Sequence, residues 1–71
     1  MQRELEDLSE AIDEIARIDE ALAVNFSRVA ARLDAQGLPL GAAPFHDMSR
    51  RHAQKASRSR ERCAGFLRRH G

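Results

Sequence analysis

The sequence predicts an all-α chain, a two-helix antiparallel coiled-coil hairpin that completes a three- or four-helix bundle with a partner or a second copy. Three observations carry this. Large apolar residues recur at alternating spacings of three and four from Leu5 to Leu33, a Gly/Pro segment interrupts the chain near its middle, and the halves on either side carry opposite charge. The whole chain reads as a single domain, with helix 1 at 3–36, a turn at 37–43 and helix 2 at 44–70.

Helix 1 places Leu5, Leu8, Ile12, Ile15, Leu22, Phe26, Val29 and Leu33 on one stripe, the pattern of the a and d positions of a heptad. Only Asp19 interrupts it. Ala16, Ala23 and Ala30 repeat every seven residues beside this seam, with Ala11 and Ile18 on its other side. Small residues there allow close approach of a further helix. Glu4, Glu6 and Asp7 crowd the first turns, where the helix dipole favours acids. Gly37 stands at the C′ position and Pro39 blocks continuation.

Pro44 and Asp47 read as the start of helix 2, whose buried face is Phe45, Met48, His52, Ala56, Ser59, Cys63, Phe66 and, at its margin, Leu67 and His70. Folding back at such a turn would oppose residues whose numbers sum to about 80, the geometry of an antiparallel helix pair. Asp19 then falls near Arg62, large residues face small ones, and helix 1 overhangs helix 2 by about eight residues at its N-terminus.

Charge supports the fold-back. Residues 1–36 hold nine acids and four bases, a balance of −5, whereas residues 45–71 hold eight bases and two acids, a balance of +6. Each half repels itself at four-residue spacing, and pairing relieves both. At 71 residues, a two-helix core rarely supplies more than ~3–5 kcal/mol without a staple or a partner, so association with another chain is expected. One cysteine, Cys63, excludes an internal disulfide and fits a reducing compartment, the cytoplasm. The acidic first twenty residues are unlike a signal peptide, and no apolar run approaches the ~20 residues that span a bilayer.

Little here suggests chemistry. Asp19 reads as a register-setting polar residue paired with Arg62 or Arg17. A metal is not expected, because on one helix His52 and Cys63 stand ~16 Å apart and Cys63 and His70 ~10 Å apart. His52 reads as a packing residue, His70 as a charge favourable to the helix C-terminus and Cys63 as a small buried hydrophobe. Nucleophile–base pairs, Gly-rich phosphate loops and metalloprotease spacings are absent, so neither an enzyme nor a cofactor or small-molecule substrate is expected.

The expected activity is binding of another helical protein, or of a second copy, through Leu5, Leu8, Ile12, Ile15, Ile18, Leu22 and Phe26. The alternative is a dimeric bundle that contacts RNA or DNA through Arg50, Arg51, Arg58, Arg60, Arg62, Arg68 and Arg69. Tyr and Trp are absent and the Phe residues fall on the seams, which leaves no platform for base stacking. Adsorption to a membrane is not expected, because helix 1 is acidic and helix 2 lacks a broad apolar face.

Residues 21–67 carry a resemblance. Ala21 and Leu22 early in a helix, Leu33 near its end, Gly37 and Pro39 at the turn, then Phe45 and Ala56 in a second helix resemble the small co-chaperones of type III secretion needle subunits. The dense Arg of helix 2 departs from that pattern. The resemblance implies a bacterial helical hairpin that binds a second helical chaperone and keeps the needle subunit from polymerising. The outline is also similar to that of the dimeric four-helix RNA-binding modulators of plasmid copy number.

Overall fold

The computed structural model describes residues 2–70, with side chains described for 3–69. Two helices make up the fold, α1 (Gln2–Ala35) and α2 (Pro39–His70), packed antiparallel into a rod of 54 × 15 × 11 Å. No strand occurs among the described residues.

The turn is shorter than the sequence suggested. Gly37 adopts φ 75°, a left-handed conformation open to glycine without a Cβ penalty. Around it, the Leu38 N–H donates to the Leu33 carbonyl at 2.9 Å and the Gly37 N–H to the Asp34 carbonyl at 3.0 Å. That pair of bonds is a Schellman motif and satisfies two carbonyls at the end of α1. Leu38 then changes role. Its own carbonyl accepts from the Ala42 N–H at 3.0 Å, so it caps α2 while Pro39 takes the first helical position.

Helix 2 was expected to begin at Pro44, but Pro39 starts it and residues 40–43 are helical. Pro44 lies inside the helix, where it cannot donate to the Leu40 carbonyl. This is tolerated at the surface, since Pro44 and Leu40 are both exposed and water can serve the freed carbonyl.

The early start of α2 resets the register. Short side chains join residues whose numbers sum to 71 or 72: Ser49 Oγ donates to the Ala23 carbonyl at 2.8 Å, Ser9 Oγ meets Cys63 Sγ at 3.3 Å, and His52 Nδ1 meets Asp19 Oδ1 at 2.9 Å. Asp19 therefore pairs with His52 and with neither Arg62, which lies ten residues, or ~15 Å, farther along α2, nor Arg17, which reaches Glu14 at 3.1 Å and Asp13 at 3.5 Å. The N-terminal overhang disappears for the same reason. The helices have 34 and 32 residues, and Ser9 is already matched by Cys63.

Packing also differs in kind. Among the described residues, the buried apolar ones are Ala16, Ala23, Ala30, Ala42 and Ala56, and no large side chain is fully buried. Together with Ser9 on α1 and with Ser49 and Cys63 on α2, these form one small-residue column on each helix at seven-residue spacing. Small thus faces small, where the sequence had suggested large against small. A second column on each helix, Leu5, Ile12, Asp19, Phe26 and Leu33 on α1 with Phe45, His52, Ser59 and Phe66 on α2, fills the rest of the seam. Phe26 sits between Phe45, at a centroid distance of 6.1 Å, and His52, stacked at 5.6 Å.

Candidate interaction surface

Because the alanine column faces α2, the bulkier residues beside it are left outside. Leu8, Ile15 and Ile18 are 44%, 50% and 52% exposed, and Leu22 and Val29 are half-buried. With Ala11 and Asn25, both exposed, these residues form a second stripe at spacings of three and four along α1. Helix 1 carries two heptad seams, one used within the chain and one not.

The seven residues assigned to partner binding divide accordingly. Leu5, Ile12 and Phe26 belong to the inner seam, and Ile12 lines the interhelical groove with Ser9, Cys63 and Ala64. Leu8, Ile15, Ile18 and Leu22 lie on the outer stripe. The two groups were hard to separate by size and spacing. The seven-residue repeat of small residues on both helices was the available signal for which column packs inward.

The seven arginines also divide. Arg51 and Arg58, with Arg62 and Lys55, line a shallow groove beside Ser59 on one flank of α2. Arg60 lies on the opposite flank, ~200° from Arg58 around the helix. There its guanidinium donates to Glu20 Oε1 at 2.7 Å and to Asp13 Oδ1. That bond holds the Glu20 carboxyl below its ordinary range, and Arg60 is in turn held protonated by the two acids. Arg50 and Arg51 both reach Asp47, at 3.8 and 2.9 Å. Arg68 and Arg69 are exposed near the C-terminal end of α2. Among the described residues, Arg60 joins α2 to the acids of α1 through Asp13 and Glu20, and His46 Nε2 also meets Asp34 Oδ2 at 2.8 Å.

Inside the seam, Asp19 forms a polar node. Its side chain is 5% exposed; Oδ1, a carboxylate oxygen, accepts from His52 Nδ1–H, and Oδ2 has no hydrogen-bond partner among the described residues. His52 is half-buried and packs in the seam as expected of it. Cys63 is half-buried, a free thiol against Ser9 rather than an enclosed hydrophobe. The His70 side chain lies outside the described residues. Among those described, no group of three or more His, Cys, Asp or Glu could hold a metal ion, and no helix is long and apolar enough to cross a membrane.

No protein-family model, curated protein or solved structure matches the chain. What it shares with the needle-subunit co-chaperones is the two-helix, all-helical outline.

Proposed function

We propose that this chain is a non-enzymatic interaction module that binds a helical surface through Leu8, Ile15, Ile18 and Leu22 of α1. The observation that carries this is the exposure of Leu8, Ile15 and Ile18, 44–52%, on a helix whose buried apolar residues are alanines. Large aliphatic side chains aligned on one face of a hairpin gain ~1.5–3 kcal/mol each when another chain buries them. A chaperone- or adaptor-like role, in which the hairpin covers a partner's helix in a reducing cytoplasm, is the finer form of this reading. The groove of Arg51, Lys55, Arg58 and Arg62 supports a second reading, contact with the phosphates of RNA or DNA.

Thiol labelling tests whether the stripe is covered. Ile18→Cys, in a Cys63→Ala background, is labelled with a maleimide in native lysate, with Gln54→Cys on the exposed side of α2 as reference. Labelling at position 18 should be slower by about tenfold, the effect of a face covered nine-tenths of the time. Equal labelling of both positions would remove the interaction reading. Protection lost on nuclease treatment would favour the nucleic-acid reading.

A further inference from the structure

We infer that the occupant of the outer stripe is a second copy of this chain, with the two α1 helices antiparallel across a two-fold axis close to Ile18. This deepens the reading just proposed and rests on it. The charge pattern selects the second copy over an unrelated helix, and the spacing and extent of the stripe accommodate it.

The first of these observations is the spacing of the apolar residues. Leu8, Ile15, Leu22 and Val29 stand at seven-residue spacing, so an antiparallel copy sets Leu8 against Val29 and Ile15 against Leu22, about a centre just beyond Ile18. A two-fold interface requires this, because each residue that meets another across the axis is met by it in return.

The second is charge. Glu4 and Asp7 border the N-terminal half of the stripe, and Arg28 and Arg32 border its C-terminal end, all four exposed, while Glu14 is paired with Arg17 of its own helix at 3.1 Å. An antiparallel pair sets Glu4 and Asp7 of each copy beside Arg28 and Arg32 of the other, at both ends of the interface. A parallel pair would set acids on acids and bases on bases. The charge pattern therefore chooses the orientation as well as the partner.

The third is extent. From Leu8 to Val29 the stripe runs ~32 Å along α1. A specific interface buries ~1,200 Å² or more in total, roughly a tenth of the surface of two such chains at 5413 Å² each. A helix-long contact, with the flanks of α2 beside it, is of that scale.

Crosslinking reads the orientation. Ala11 and Asn25 are exposed and lie seven residues to either side of Ile18 on the same column. Ala11→Cys and Asn25→Cys chains, each also Cys63→Ala, are mixed and bridged with a short bis-maleimide. The expected product joins one variant to the other, and neither variant joins to itself. Self-joining of Ala11→Cys would mean a parallel pair and overturn the proposal. Sedimentation equilibrium of the unmodified chain at micromolar concentration should give a dimer, and a monomer would also overturn it.

Ile18→Glu brings two like charges together at the axis. It should yield a monomer that remains helical by circular dichroism, and a dimer of unchanged affinity would count against the axis. Arg28→Asp should weaken the dimer about two- to five-fold, the range for an exposed ion pair, with recovery when Asp7→Arg is added to the same chain. The two readings separate cleanly. A purified monomer whose Ile18→Cys is nonetheless protected in lysate refutes the second copy and keeps the interaction surface; protection in neither setting refutes both.

Discussion

The two stripes of α1 invert the usual relation between size and burial. The inner stripe buries Ala16, Ala23 and Ala30 at 0–8% exposure, while Ile15 and Ile18 on the outer stripe stay about half exposed. Closeness explains the inversion. Alanine, serine and cysteine columns let two backbones approach until a side chain can bond a main chain, as Ser49 does to the Ala23 carbonyl. Large residues in those columns would hold the helices apart. The alanine column serves close approach, and the outer stripe keeps large apolar residues at the surface.

The largest effect should come from exchanging these properties. Ala16→Leu inserts a branched side chain where nothing is exposed and should cost about 2–3 kcal/mol by overpacking, whereas Ile15→Ala in the Ile18→Glu background should cost less than ~1 kcal/mol. Chemical denaturation of the two variants compares them. Equal losses would mean that the stripes are not distinct.

Next comes the polar node of the inner stripe. Asp19→Ala leaves the His52 Nδ1–H without its carboxylate and should cost ~1–3 kcal/mol. Asp19→Leu with His52→Leu should recover most of that loss, because an apolar pair leaves no unmatched polar group. The same double variant should crosslink in more than one register if the node selects the register, which cysteine pairs along the seam would detect.

A smaller effect is expected at the turn. Gly37→Ala meets no atom within 4 Å of the added carbon, so its cost is the left-handed backbone alone, about 1–2 kcal/mol. Thermal melting should show the loss with helix content unchanged below the transition.

Acid gives the smallest effect. Arg60 lowers the Glu20 carboxyl below its ordinary value of 4.5, so the folded chain binds that proton less readily than the unfolded one. The contribution is present above 4.5 and is lost as the pH falls from there through the lower folded value. Glu20→Gln should flatten the dependence of melting temperature on pH in that acid range, and added salt should shrink the difference, since the pair is exposed.

Much of this fold was legible in the sequence. Alternating spacings gave the helices, Gly37 gave the end of α1, and the residues expected on the buried face of α2 are buried or half-buried from Phe45 to Phe66. Two things were not legible, and each has a physical reason. Pro39 and Pro44 both suit a first helical turn, and only the dual role of Leu38 decides between them; five residues of difference then moved Asp19 from Arg62 to His52. The choice of inward stripe was hidden because side-chain size suggests burial, whereas backbone approach is governed by what is small on both helices at once.

The short turn has a further consequence, for the order in which the hairpin closes. Leu38 ends one helix and begins the other, so the contacts next to it span few residues, while the Ser9–Cys63 contact at the far end spans 54. The entropy lost in joining two points of a chain grows with the residues between them. Closure therefore proceeds like a zipper from Gly37, passing Ala30, then Phe26 with Phe45, then Asp19 with His52. The end around Ser9 and Cys63, which closes last, is the end expected to part first, and backbone amides there should exchange faster than those beside Phe26 and Phe45.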